Sequence, residues 1–328
     1  MSLIPGNVET LAFGFQTDKS TPADAPVMAI ALEDCSLDPG VQYLKTAETD
    51  QSALQPDDIV VGAQPGGTFK KYLRPSEDDL LLYALLGKNV DAGVTPKTHT
   101  ATLDPAAPFA SPYLTIWDIW PGVGCVQYIG ARIGQLTLAS QEGGGVEATY
   151  KAEALQALMG ADAPDLTGLF ADELPFSWAE LAVSLGGVHG GIVSQYQLDI
   201  NRNTGRFQGD NGLESLDIPN GLMAVTGNLS VAFEDDTLWR AANTGATDGT
   251  ALTTTIFEES LDIDHTRGPD LEAKFSLANA RITNFKNKVQ TDGKPAVSTF
   301  DFASARSATL SDVIQTLVKN AIAHADRS

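Results

Sequence analysis

The most informative stretch of the sequence is Leu222–Trp239, LMAVTGNLSVAFEDDTLW, which indicates the type of fold. From Val225 to Phe233 apolar side chains recur at every second position around Gly227, which predicts a half-buried β strand. Three acidic residues, Glu234–Asp236, then precede Leu238 and Trp239. Acidic side chains are favoured in the first turn of a helix, so the strand is predicted to run directly into a short helix.

A second copy of this unit occurs in the first half of the chain. Gly67–Phe69 leads into a strand, and Glu77–Leu80 supplies the acidic start of a helix. Further along, Ala131–Ile133 and Ala280–Ile282 have closely similar sequences, ARI in both cases, and each is followed by a hairpin. An acidic pair before a helix is ordinary, so the argument is the common order of the markers. The chain is therefore predicted to hold two copies of one β domain, each with a flanking helix.

Most of the remaining sequence is also strand-like. Alternating runs bounded by turn residues, which are typical of strands, occupy residues 8–16, 27–37, 59–62, 98–104, 113–120, 125–140, 146–150, 180–185, 193–200, 253–263, 271–289 and 297–302. Prolines, a glycine and several acids interrupt the pattern over residues 161–177. We therefore predict a mainly β fold of two tandem sandwich or barrel domains, over residues 1–160 and 178–306, with 161–177 as the linker.

The last 22 residues, 307–328, carry a different pattern. Apolar side chains follow helical spacing along one stripe, formed by Leu310, Val313, Ile314, Leu317 and Val318. An apolar stripe left in water costs about 1.5–3 kcal/mol for each large side chain, so this segment must be buried against a partner. The sequence predicts a C-terminal amphipathic helix that packs on its own chain or on a neighbour.

Charge and composition exclude several classes of function. The chain has 21 Lys and Arg against 42 Asp and Glu, a net charge of −21. Proteins that grip nucleic acid need clustered cations, so tight DNA binding and attraction to anionic membranes are not expected. The two cysteines, Cys35 and Cys125, lie far apart and imply neither a disulfide framework nor a zinc site. No signal peptide or membrane-spanning run is visible, so a protein made in a cytoplasm is expected.

No catalytic or metal-binding constellation is apparent in the sequence. Asp262, Asp264 and His265 lie on one predicted strand, but His265 falls on the opposite face from the two acids. A partial calcium-loop pattern begins at Asp199, yet its glycine is one place late and the bidentate glutamate is missing. Nucleophile-elbow, zincin, phosphate-loop and dinucleotide motifs are absent. We expect neither an enzyme nor a cofactor.

The stretch Leu222–Trp239 resembles the phage tail tube protein family, in which a glycine-started strand runs into an acidic helix start followed by an aromatic residue. The preceding residues, Val183 to Asn201, are similar to the opening strands and first long loop of that family. The resemblance covers nearly all of the second half and reaches the first half through the internal repeat. It implies two packed antiparallel sheets with a flanking helix, and a structural subunit of the virion tail, assembled in the host cytoplasm.

The family resemblance also implies partners. Subunits form rings, the rings stack into a tube, and DNA passes through the bore without specific binding. A duplicated subunit would supply six domains per ring with three chains, so a trimeric ring with pseudo-sixfold symmetry is expected, the alternative being a hexamer. Tape-measure, tail-terminator and tail-tip proteins are the other expected partners, and no membrane is involved.

The resemblance suggests two further contacts within such a tube. The first long loop of each domain is expected to reach the next ring, and aromatic and arginine side chains are favoured anchors. The candidates are Tyr43, Leu44, Asn201, Arg202, Arg206 and Phe207. The C-terminal helix, outside the repeat, is expected to join neighbouring subunits on the tube exterior. The competing hypothesis is a β-rich binding module, such as a virion decoration protein or an adhesin domain, which would be a monomer or small oligomer with its own ligand.

Overall fold

The computed structural model describes residues 9–45, 58–93, 96–186, 188–189, 193–209, 212–232, 237–254, 256–288, 297–305 and 313–320. Within these ranges only the backbone is described at 188, 189, 238, 287 and 288. The described chain is mainly antiparallel β structure, as the sequence predicted. None of its helices is long and apolar enough to cross a membrane.

Strands and one α helix make up the described part of the first half of the chain. The strands are β1 (Thr10–Gln16), β2 (Met28–Ala31), β3 (Asp34–Cys35), β4 (Val41–Lys45), β5 (Asp58–Ala63), β6 (Gly66–Tyr72), β7 (Gly87–Ala92), β8 (Lys97–Leu103), β9 (Tyr113–Trp120), β10 (Gly124–Gln141), β11 (Glu147–Glu153) and β12 (Gln156–Met159). Helix α1 (Pro75–Leu86) lies between β6 and β7 and ends at Gly87, which adopts the left-handed conformation that favours glycine.

The second half repeats this order with fewer elements. Its strands are β13 (Leu181–Leu185), β14 (Val188–His189), β15 (Val193–Asn201), β16 (Phe207–Gln208), β17 (Ser215–Asp217), β18 (Ala224–Ala232), β19 (Glu258–Arg267), β20 (Leu271–Lys288), β21 (Val297–Ser304) and β22 (Gln315–Asn320). Helix α2 (Thr237–Thr244) follows β18, where the acidic run after the strand predicted it.

Two long strands organise the two halves in the same way. The first part of β10 pairs with β9 and β12, and its second part pairs with β11. The first part of β20 likewise pairs with β19 and β22, and its second part pairs with β21. The partners continue alike, because β11 pairs with β6 and β21 pairs with β18. Each long strand thus pairs with different strands over its two parts, in the same arrangement in both halves.

Strand register makes individual residues of the two halves equivalent. Ile133 of β10 lies opposite Ala152, which lies opposite Gly67 on β6. Ile282 of β20 lies opposite Phe302, which lies opposite Gly227 on β18. The pairs Ile133 and Ile282, and Gly67 and Gly227, therefore occupy equivalent positions in the strand pairing. The two halves of the chain thus share one pattern of strand pairing.

One continuous apolar core lies behind these sheets and includes residues from both halves. Phe13 of β1 and Phe69 of β6 face each other across it with ring centroids 5.4 Å apart, and Phe69 stacks on Tyr150 of β11 at 5.3 Å. The leucines of α1 are buried in the same core, against β10, β8 and β22. The helix therefore covers the core side of the sheets.

Residues 161–177 pack against the first half instead of spanning open space. Leu166 and Leu169 rest on a small second cluster around Trp117 and Cys125, and the carbonyl of Leu169 accepts a hydrogen bond from the amide of Ala29. The segment covers the outer face of β1, β2 and β9.

The predicted C-terminal helix is wrong over residues 315–320, which form strand β22. Thr316, Val318 and Asn320 point inward and alternate with outward residues, so a period of two fits the sequence here as well as the helical period. The hydrogen-bonding edges of β20 and β8 decide between them, because β22 pairs with both and satisfies their backbone groups. Val313 lies in a turn and Ile314 is buried, whereas Leu310 lies outside the described residues.

At the equivalent glycines Gly67 and Gly227 a neighbouring strand approaches too closely to leave room for a side chain. A Cβ atom on Gly227 would lie 2.3 Å from the carbonyl oxygen of Gln197 and 2.3 Å from Cζ of Phe302. A Cβ atom on Gly67 would lie 2.2 Å from the carbonyl oxygen of Ser36. Real Cβ contacts are never this short, so only glycine fits either position.

The first prediction concerns stability. We expect Gly227→Ala to lower the free energy of unfolding by about 1–3 kcal/mol, because the backbone of β15 or the Phe302 ring must move. Urea denaturation followed by tryptophan fluorescence measures the change. Gly124→Ala is the matched control, since nothing lies within 4 Å of a Cβ atom at Gly124. Equal midpoints for Gly227→Ala and wild type would contradict the packing described.

Candidate subunit interfaces

The two halves meet by sharing a sheet. The second part of β10 pairs with β11 on one edge and with β15 of the second half on the other, from Gln135 opposite Asn201 to Gln141 opposite Gln195. The Thr137 hydroxyl adds a 2.5 Å hydrogen bond to Asp199 across this seam. The sheet β3–β6–β11–β10–β15–β18–β21–β20 is therefore continuous through both halves.

The loop between β15 and β18 lies over the first half of the same chain. Arg202 is fully buried and donates through Nη2 to the carbonyl of Pro108 at 2.9 Å, and burial lowers the pKa of Arg202 to about 10. Arg206 donates to the carbonyls of Ala154 and Pro65. Among the residues predicted to contact another ring, Arg202 and Arg206 thus hold this loop to its own chain, and Asn201 terminates β15.

Arg132 of β10 anchors the same loop from the opposite side. Its Nη1 donates to the carbonyl of Ile218 at 2.8 Å, and its guanidinium lies 4.1 Å from the centre of the Tyr113 ring. The Tyr113 hydroxyl in turn donates to Asp217 at 2.7 Å. Cation–π stacking and a charge-assisted hydrogen bond together fix the loop on the first half.

The C-terminal strand closes a second seam between the halves. β22 pairs with β20 on one edge and with β8 of the first half on the other. Asn320 is buried there, and its amide donates to the carbonyl of Pro75 at 3.1 Å and to Asp79 at 3.2 Å, both at the start of α1. Leu317 and Val318, predicted as contacts between subunits, therefore lie in a strand that joins the two halves of one chain.

A buried ionic cluster, which the sequence analysis missed, fixes the start of α1. Nζ of Lys71 lies 2.6 Å from Asp78 and 2.9 Å from Glu77, and the Tyr150 hydroxyl donates to Asp78 at 2.6 Å. Burial opposes the charge on Lys71, but Asp78 and Glu77 outweigh that effect and raise its pKa. The acidic motif EDD thus holds a lysine in the core as well as starting a helix. Lys71 lies two residues from both Phe69 and Leu73, on the inward face of the alternating strand, which was the available signal.

Two hairpins present apolar side chains to solvent. The β4–β5 hairpin exposes Val41, Tyr43, Leu44, Ile59, Val60 and Val61, and the β16–β17 hairpin exposes Phe207 and Leu216. The amide of Ala63 donates to the carbonyl of Leu213 at 2.7 Å, so the two hairpins lie side by side. Tyr43 is 60% exposed and Phe207 62%. Tyr43, Leu44 and Phe207 are thus the predicted contact residues that remain accessible.

The face of the continuous sheet opposite the core, here called the polar face, carries mostly small neutral polar side chains. Its members on six neighbouring strands are Thr68, Lys70, Thr149, Lys151, Gln135, Thr137, Gln197, Asp199, Asn228, Ser230, Thr299 and Asp301. Both lysines contact carboxylates, Lys70 with Glu33 at 3.1 Å and Lys151 with Glu153 at 2.8 Å. The face is hydrophilic and its cations are neutralised.

Comparison with known proteins assigns the chain to a family. A family model described as phage tail tube protein matches residues 6–311, which is most of the sequence. The chain belongs to this family. No curated protein matches it significantly. The family identifies the chain as a bacteriophage structural protein and a component of the virion tail that self-assembles with other tail proteins into a tube, as the resemblance of Leu222–Trp239 implied.

The described residues of this tail tube protein give little support for a metal site or a catalytic site. They contain no group of three His, Cys, Asp or Glu side chains placed to hold a metal ion. His265 is buried on β19, and its side chain lies on the opposite face of the strand from Asp262 and Asp264, as the strand periodicity predicted. A 2.8 Å hydrogen bond joins its Nε2 to the Tyr196 hydroxyl, and Phe176 of the connecting segment packs against its ring. His265 is thus a packing residue where the connecting segment meets the second half.

The second prediction follows from this burial. Desolvation lowers the pKa of His265 to about 4 from an ordinary value of 6.5, so the unfolded chain binds this proton more readily than the folded chain. The stabilising effect is complete above pH 6.5 and is lost as the pH falls toward 4. One pKa unit is about 1.4 kcal/mol, so the loss should be on the order of 3 kcal/mol by pH 4.

Urea denaturation between pH 7 and 4 measures this effect. The free energy of unfolding of His265→Gln should depend less on pH than that of wild type, because the titrating imidazole is gone. Tyr196→Phe keeps the buried imidazole and should keep the wild-type slope. The interpretation fails if wild type and His265→Gln have parallel profiles.

Proposed function

We propose that this protein is the major tail tube subunit, which polymerises into stacked rings that form the conduit for DNA ejection. The main support is the continuous sheet through β10 and β15, which joins two halves that share one pattern of strand pairing. In this proposal the halves are tandem domains occupying similar places in the ring. Three chains would then supply six domains and give pseudo-sixfold symmetry.

The polar face of the continuous sheet is proposed to line the bore. The opposite face is covered by the apolar core and by α1, so it is the polar face that a closed ring leaves facing a water-filled channel. Strong phosphate contacts would stall DNA, and the two lysines that this face carries on β6 and β11 are already neutralised by Glu33, Glu147 and Glu153. The net charge of −21 adds long-range repulsion, which is screened beyond about 8 Å at physiological salt.

Stacking of rings is proposed to use the two side-by-side hairpins. They concentrate large apolar side chains that a soluble monomer rarely exposes together, including Tyr43, Leu44 and Phe207. Burial against the next ring would remove this surface from water. The ends of the tube would meet the tape-measure, tail-terminator and tail-tip proteins, and assembly would take place in the host cytoplasm.

The third prediction concerns stoichiometry. Native mass spectrometry of isolated rings should give three times the chain mass of 34.6 kDa. Electron microscopy of tubes should show strict threefold symmetry with an approximate sixfold repeat. Six chains per ring would contradict the duplicated-subunit arrangement, and a stable monomer with a separate ligand would favour a binding module instead.

The fourth prediction concerns stacking. Tyr43→Ser combined with Leu44→Ser should leave ring formation intact but abolish long tubes, because the next ring loses its apolar contact. Negative-stain electron microscopy distinguishes rings from tubes. Leu174→Ser is the control, since Leu174 is 74% exposed but lies in the connecting segment. Tubes of normal length from the double variant would exclude this hairpin as the stacking element.

A further inference from the structure

Among the described residues, the second part of β20 has an edge with no strand on it. The amide of Ile282 still donates to the carbonyl of Phe257 on that side, at 3.2 Å. Beyond Ile282, β20 pairs with β21 on one side, and no partner is described on its other side for residues 283–286. The equivalent edge of β10 is occupied by β15. Thr283, Asn284 and Lys286 are exposed on this stretch, in contrast to the half-buried Gln135 and Thr137 of β10. An uncovered edge in one half thus corresponds to a covered edge in the other.

The strand equivalent to β15 lies at the opposite end of the same sheet. β3 pairs with β6 as β15 pairs with β18, and its other edge carries no strand among the described residues. Asp38 bridges to Gly66, and Asp199 lies opposite Thr226. Gly66 and Thr226 each precede one of the equivalent glycines, Gly67 and Gly227, so Asp38 is equivalent to Asp199.

The same reasoning fixes the partner on β20. Thr149 lies opposite Thr137, and Thr299 lies opposite Lys286. Thr149 and Thr299 are equivalent, since each lies three residues before the equivalent residues Ala152 and Phe302. Lys286 therefore takes the place of Thr137, whose hydroxyl hydrogen-bonds Asp199.

We propose that the free edge of β20 binds residues 33–38 of a second copy of this chain, in the register that places Lys286 opposite Asp38. This inference rests on the proposed function, because it assumes that neighbouring chains of a ring pair in the same way as the two halves of one chain. The backbone of each edge supplies hydrogen-bonding groups that a strand of a second copy can satisfy. The opposite charges of Lys286 and Asp38 select the register.

Arg281 supports the assignment independently. Arg132 and Arg281 occupy equivalent positions next to Ile133 and Ile282. The Arg132 side chain is buried against the loop of the second half, whereas the side chain of Arg281 is 42% exposed and forms an ion pair with the exposed Glu258. In the ring, the described strands β4 and β5 of a second copy, which correspond in position to residues 202–222, would cover Arg281 as Arg132 is covered. The difference in exposure is the one expected of a closed and an open form of the same seam.

A second contact follows at the same seam. Within the chain, β8 of the first half covers β22, and β12 is the first-half equivalent of β22. Among described residues β12 pairs only with β10, and it exposes Leu158 and Met159. The segment after α2 that corresponds in position to β8 exposes Leu252, at 83%, and Ile256. In the proposed ring this segment of one copy covers β12 of the next and buries both apolar pairs.

Cysteine cross-linking tests the register. In a chain with Cys35→Ser, the pair Asp38→Cys and Lys286→Cys should form disulfides between chains under mild oxidation, since facing strand residues lie within disulfide range. Denaturing electrophoresis should show a ladder that ends at three chains. The control is Asp34→Cys with Lys286→Cys, because Asp34 is exposed but lies four residues away along the segment, about 13 Å in extended chain. No ladder is expected for it.

Charge exchange gives a second readout that does not depend on disulfide geometry. Asp38→Lys and Lys286→Asp should each lose ring formation, and the double exchange should restore it, with circular dichroism confirming folded chains throughout. Rings formed normally by both single variants, together with no ladder from the Asp38 and Lys286 cysteine pair, would overturn the register while leaving the tail tube function standing. Wild-type protein that never forms rings would overturn both.

Discussion

Every strand edge in a sheet carries backbone groups that need hydrogen-bond partners. This requirement determines how the two halves of the molecule are joined. β10 meets it by pairing on both edges over its second part, which forces β15 and hence the second half into the same sheet as the first. β22 supplies hydrogen-bond partners to the edges of both β20 and β8. The relative placement of the two halves thus follows from edge satisfaction as well as from the shared apolar core.

Side-chain chemistry then makes the seam specific. Arg132, Arg202 and Arg206 send their guanidinium groups from both halves into backbone carbonyls and an aromatic ring. These cations are among the few in an acidic chain, and they are used inside the subunit instead of on the surface that faces DNA in the proposed tube. A strongly acidic protein thereby uses three of its cations to hold its two halves together.

The sequence predicted local secondary structure better than it predicted which segments pair or pack with one another. Alternation over Val225–Phe233 and the acids after it were sufficient for β18 and α2, and the equivalence of Ala131–Ile133 with Ala280–Ile282 is reproduced in the register. The segment around Leu317 was assigned wrongly because six residues fit both periodicities, and the deciding factor was two distant strand edges. Arg202 is a polar loop residue by sequence, and only the tertiary fold buries it.

The pairing of β22 with β8 has a consequence for how the chain folds. His99 and Asn320, which meet in this seam, are 221 residues apart in sequence. During synthesis the edge of β8 stays without its native partner until residues 315–320 have emerged, and contacts of such long range form slowly. A growing chain therefore cannot complete its first half before β22 of the second half has been translated. Delayed closure of this kind would restrain premature polymerisation on the ribosome.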